Sequence, residues 1–130
     1  MSHTIHDIGV ARQIGRYSDA IEAAPDLRWL MTSGTPGFTD GSAVPADITG
    51  QSELAWDNVL SVLSKADMTV HDIVKVTQYL TRAEDIKAYA QVRNRVLGEA
   101  RPASMLLVVP QLVWPNLLVE VEIVAAKARS

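Results

Sequence analysis

The chain has 130 residues, enough for one domain with a proper core and too few for two. Apolar residues make up 48% and charged residues 21%, a balance that excludes global disorder. A net charge of −3 with no run of Lys or Arg argues against a nucleic-acid partner, and the absence of cysteine removes disulfides, thiol nucleophiles and thiolate metal sites.

The N-terminal stretch lacks the apolar segment of a secretion signal, and no apolar run approaches the ~20 residues of a membrane span. A cytoplasmic protein without a membrane partner is the expectation. Residues 4–8 suit a short edge strand. The β-branched and large residues of 27–32 (LRWLMT) predict a strand ended by Ser33-Gly34. Three glycines and two prolines make 34–45 a loop. Asp47 then offers an N-cap, and Ile48, Ala55, Val59, Val62 and Leu63 recur at helical spacing to about Lys65, with Trp56 and Leu60 widening the stripe.

The segment DIVKVTQYL, 72–80, reads as a strand. Thr81 and Glu84 match a capping box, and the helix that follows places Ile86, Ala90, Arg93 and Leu97 on one face, with Tyr89 and Val96 beside them and Gly98 as its stop. Residues 103–110 predict a strand, Trp114-Pro115-Asn116 a turn, and 117–126 a last strand. The order β–β–α–β–α–β–β over a single domain, 1–130, indicates an α+β fold with both helices on one sheet face. The other face then needs cover, and an apolar uncovered face marks an interface.

In the last strand Leu118, Glu120, Glu122 and Val124 share one face and Val119, Val121 and Ile123 the other. The two glutamates are open to two readings. One is an ordinary solvated sheet face; the other is a partly buried carboxylate with raised proton affinity that holds a water as general base. His3, His6 and His71 lack the ligand spacing of a zinc site and read as surface residues. Ser33 and Ser104 lie in no nucleophile elbow, and Gly34, Gly37 and Gly41 form neither a dinucleotide fingerprint nor a P-loop, so they read as turn glycines. Trp29, Trp56 and Trp114 read as core or interface residues.

Several stretches in order and spacing carry a resemblance: Ile14-Gly15-Arg16-Tyr17-Ser18, Thr32-Ser33-Gly34, Asp47 with Gln51 and Asn58-Val59, Asp72 to Thr77, Arg101-Pro102-Ala103, and Val119-Glu120-Val121-Glu122. Over about 14–126 the chain resembles the YjgF/RidA family of reactive imine/enamine deaminases, which also carries the label endoribonuclease L-PSP. The resemblance implies a chorismate-mutase-like fold with a mainly antiparallel sheet. It also implies a homotrimer with small-molecule clefts between subunits, and hydrolysis of imines or enamines without metal or organic cofactor.

Residue by residue, the resemblance makes Tyr17 the cleft tyrosine and Glu120 the glutamate that holds the hydrolytic water. It puts Ser33, Gly34, Ala103 and Ser104 at the substrate. Ser104 stands where the family has its carboxylate-binding arginine, and Ala90 where it has an asparagine. A serine hydroxyl gives one neutral hydrogen bond where arginine gives two charge-assisted ones, so the resemblance points away from 2-aminoacrylate as substrate. A ligand-binding or sensing trimer with the same clefts and no turnover is the alternative.

Overall fold

A computed structural model describes residues 3–129. After β1 (Thr4–His6) come a short α1 (Ala11–Ile14), β2 (Ala20–Glu22), β3 (Leu27–Met31) and β4 (Thr35–Pro36). The long α2 (Ile48–Lys65) leads to β5 (Ile73–Leu80), α3 (Ile86–Leu97), β6 (Ala103–Val108) and β7 (Val119–Ala128). The α+β class holds, with more pieces than the sequence suggested. The first predicted strand stops at His6, β2 pairs with it in a small two-stranded ribbon, and Thr35–Pro36 adds a short strand inside the predicted loop.

The main sheet runs β3-β7-β5-β6, with β4 joining β7 beyond β3. Every pairing in it is antiparallel except β5 with β6. That exception follows from connectivity, because α3 crosses over between two strands that must then point the same way.

Asp47 caps α2 as expected, its carboxylate accepting from Gly50 N. The predicted capping box at Thr81–Glu84 does not form. The chain instead makes a 3-10 turn over Ala83–Asp85, so α3 starts at Ile86, too far along for Thr81 to reach its free amides. Arg82 holds Asp85 at 2.7 Å at this entry. A capping box does occur at Thr69–Asp72, ahead of β5, where Thr69 N donates to Asp72 Oδ2 at 2.8 Å. Gly98 ends α3 with a φ of 58°, a left-handed value that glycine tolerates.

Trp56, Val59 and Leu63 of α2 and Tyr89, Val92 and Leu97 of α3 pack on one sheet face, against Val76 and Leu80 of β5 and Val119, Val121 and Ile123 of β7. Each large side chain so buried contributes about 1.5–3 kcal/mol. The buried face of α3 is rotated from the predicted one: Ile86 is exposed and Arg93 half-buried, while Tyr89 and Val92 lie at the centre. The cause is polar. The Tyr89 hydroxyl donates to Gln78 Oε1 at 2.7 Å and Trp56 Nε1 approaches it at 3.3 Å, so the ring is buried without an orphaned oxygen.

The opposite sheet face is open. It presents Trp29, Met31, Met105 and Leu107, the two methionines and the tryptophan at half exposure or more. Of the three tryptophans only Trp56 is in the core, and Trp114 stacks on Phe38 at 5.1 Å in the loop layer. Among the described residues no helix is long and apolar enough to cross a membrane.

Candidate functional site

The alternation of β7 works as its sequence implies. Val119, Val121 and Ile123 are buried under the helices, and Glu120, Glu122 and Val124 lie half-buried on the open face. Cross-strand register puts Glu120 between Pro36 of β4 and Tyr79 of β5, with Glu122 opposite Thr77. Gly34 lies hard against the Glu120 carboxylate, so close that a β-carbon at residue 34 would collide with it. It is thus a close-approach glycine. Gly37 is another, since its missing side chain admits the backbone of Gln51.

Two side chains of α2 hold the loops around this point. The buried Gln51 amide donates to Pro45 O and Asn116 O, at 2.8 and 2.9 Å, and accepts from Leu118 N at 2.7 Å. Asn58 donates to Pro36 O and Phe38 O. The result is a hollow of about 320 Å³ lined by Gly34, Tyr79, Val109, Gln111, Leu112, Glu120 and Glu122.

Burial raises the proton affinity of Glu120 above the ordinary carboxylate range, and the charge of Glu122 adds to it. The Tyr79 hydroxyl donates to Glu122 Oε1 at 2.5 Å, and chiefly through that bond holds its own proton more tightly than a free phenol. The hollow therefore contains one carboxylate tied to a phenol, Glu122, and a second, Glu120, whose proton affinity burial raises and whose oxygen lies against the Gly34 backbone. Such a group can take a proton from a water that approaches an electrophilic carbon.

The remaining predicted residues fall elsewhere in the chain. Ser33 is exposed at the strand end, its carbonyl accepting from Thr35 Oγ1 at 3.1 Å. Tyr17 is half-buried beside the β6 edge, where Ser18 bridges Ala103 and its hydroxyl donates to Arg101 O. Ala103 is on the same sheet face as Glu120 but two strands away. Ser104 faces the helices, where its hydroxyl accepts from Gln78 Nε2 at 2.9 Å. One chain thus unites Glu120 and Gly34 and leaves Tyr17, Ala103 and Ser104 at the sheet's far edge.

Sequence reasoning did not single out Tyr79, though its place opposite Glu120 follows from period-2 alternation once the register is known. Gln111 and Leu112 gave no signal, because loop residues reach a site only through the tertiary fold. Another hollow, of about 350 Å³, gathers His3, His71, Asp72, Glu99 and Arg101 behind the β1–β2 ribbon. There Arg101 is occupied by the carbonyls of Gly98 and Ala100. His6 pairs with Glu22 and His3 Nε2 meets Ala126 O. Among the described residues no three metal-binding side chains converge.

A family model, Endoribonuclease L-PSP, matches residues 9–127. A RutC family protein of Pyrococcus horikoshii is 30% identical over 129 residues, covering 98% of this chain and 99% of its own. TdcF of Escherichia coli, named a candidate reactive intermediate deaminase, is 28% identical over 87 residues, 66% of this chain and 65% of its own. The fold is shared with a Rid-family protein of unknown function from Yersinia pestis, with a TM-score of 0.84 at 24% identity over 98% of this chain and 100% of that one. The continuous match of the family model from just after β1 into β7, with these relatives and this fold, shows that the chain belongs to the endoribonuclease L-PSP family, the YjgF/RidA group of proteins.

Proposed function

We propose that the protein is a cytoplasmic homotrimer that hydrolyses a small imine or enamine to a carbonyl compound and ammonia, in clefts between neighbouring chains. The observation that carries this reading is Glu120: half-buried, of raised basicity and pressed against Gly34 in a hollow of about 320 Å³. Kinship with TdcF, named a candidate reactive intermediate deaminase, supports it. In the proposed step a water adds to the C=N carbon while Glu120 takes its proton. Glu120 returns that proton to the nitrogen to give a carbinolamine, the carbinolamine hydroxyl passes its proton to the amine as the C–N bond breaks, and ammonia leaves as the carbonyl forms. The reaction balances on water alone, and this reading routes no step through a metal or an organic cofactor.

The trimer brings the far-edge residues of one chain, Tyr17, Ala103 and Ser104, to the Glu120, Ser33 and Gly34 of its neighbour. The exposed Met31, Met105 and Trp29 supply the apolar surface for that contact. Residue 104 gives no guanidinium, and its hydroxyl is engaged by Gln78, so 2-aminoacrylate is not the expected substrate. The same observation favours a second reading, a trimer that binds a small molecule without turnover.

The test supplies the purified protein with imines generated in place by an amino-acid oxidase and times ammonia release. Acceleration that is lost in Glu120→Gln supports the deaminase. A wild-type protein that accelerates no imine leaves the binding reading in its place.

A further inference from the structure

Tyr79 lines the hollow, yet the proposed reaction gives it no part. It is half-buried on β5, opposite Glu120 in the register, and its hydroxyl donates to Glu122 Oε1 at 2.5 Å. Chiefly through that bond the phenol holds its proton more tightly than usual, so the proton stays on the Glu122 side. A phenol whose O–H is engaged in this way presents only oxygen lone pairs elsewhere, and donation to a carboxylate makes that oxygen a better acceptor.

The hollow is consequently short of donors. Its polar side chains are Tyr79, Gln111, Glu120 and Glu122, and with both glutamates ionised only the Gln111 amide has hydrogens to give. Among the described residues no Lys, Arg or His lines it. Lys75 is on the same strand face, beside the adjoining hollow that Glu122 also lines, and makes no ion pair with Glu122. The residues that the proposed assembly brings in, Tyr17, Ala103 and Ser104, include no cation. Glu120 already binds its proton more tightly because of burial and the charge of Glu122. A ligand that carries hydrogen-bond donors and positive charge relieves both effects, and one that carries a carboxylate aggravates them. Val109 and Leu112 leave room for a short hydrocarbon body.

We propose that Tyr79 is a specificity-determining residue of this hollow, its oxygen accepting an N–H of the reacting nitrogen, and that the ligand is a protonated imine without a carboxylate. Such a compound is supplied by oxidation of an amine rather than of an amino acid. The inference rests on the proposed deaminase reading for its reaction and deepens it by naming the substrate class. The balance is one iminium and one water giving one carbonyl compound and one ammonium. The iminium nitrogen has two hydrogens, one for Tyr79 and one for a carboxylate beside it.

Binding is read first, because it does not depend on turnover. Calorimetric titration of the full-length protein uses three probes of one shape: butanamidinium, butanamide and butanoate. The expected order is amidinium tightest, at least about tenfold above the amide, with the carboxylate weakest. Tyr79→Phe cuts the amidinium-over-amide ratio several-fold, whereas a tyrosine of purely structural role would weaken both probes alike and leave the ratio unchanged. Glu122→Gln lowers the ratio as well. In turnover, imines supplied by an amine oxidase should release ammonia faster than those supplied by an amino-acid oxidase. Amide or carboxylate binding as tight as amidinium binding in the wild type overturns the proposal. So does an unchanged ratio in Tyr79→Phe or, should that variant fail to fold, in Glu122→Gln. Faster release from the amino-acid-derived imines overturns the substrate class and leaves the deaminase reading standing. An amidinium preference that depends on Tyr79, in a protein that accelerates no imine, removes the deaminase reading and upholds the role of Tyr79 in cation selection.

Discussion

Glu120 and Glu122 differ by two positions on one strand face, yet their surroundings differ in kind. Glu122 receives the Tyr79 hydroxyl, while Glu120 has lost solvent to the Gly34 backbone and feels the charge of Glu122. In the proposed step deprotonated Glu120 is the base, so activity should rise with pH through a limb above the ordinary carboxylate range. Glu122→Gln removes the neighbouring charge, lowers the affinity of Glu120 for its proton, and should move that limb to lower pH; a pH–rate profile of ammonia release reads the shift. The same raised affinity opposes stability: the folded carboxyl binds its proton more tightly than the unfolded one, so the contribution of Glu120 declines as pH rises through its titration. Gly34→Ala tests the geometry. Its β-carbon would push the carboxylate out of place, and ammonia release should fall nearly as far as in Glu120→Gln while the melting temperature changes little.

At the scale of elements, α2 is both a core helix and a clamp for the loops that wall the hollow. Gln51 serves three backbone groups from a fully buried position. Gln51→Leu should leave two carbonyls and one amide without partners and cost about 2–4 kcal/mol, measured by urea unfolding. The α3 helix shows where local pattern was outweighed. Its sequence let Ile86, Ala90, Arg93 and Leu97 stand as a stripe, but the buried Gln78 draws the Tyr89 hydroxyl inward and turns the helix about it. The missing capping box at Thr81 has a similar origin. The Arg82–Asp85 pair fixes a 3-10 entry that a four-residue motif does not foresee.

For the whole molecule, the sheet is covered on one side only. Met31, Trp29 and Met105 on the other side form a surface that a second copy would bury, and the proposed assembly uses it. Sedimentation should give a mass of three chains. Met105→Glu should yield single chains with native helix content and no ammonia release, because the proposed cleft draws residues from two copies. A monomeric wild type would remove the basis for an inter-subunit cleft.

The sequence by itself determined the α+β class, the capped α2, the β5 and β7 strands and the pairing of Glu120 with Glu122 on one face. These features rest on periodicity and capping, which act over a few neighbouring residues. It also marked Ser33 and Gly34 as a strand end, without showing that the glycine is there to admit a carboxylate. Only the tertiary structure decided that Tyr79 meets Glu122, that Ser104 turns toward Gln78, and that Arg93 meets Gln78 and lies over the Tyr89 ring. Those facts depend on strand register and on the rotation of α3. Both are set by contacts between residues far apart in the chain, such as Gln78 with Ser104 and Gln51 with Leu118.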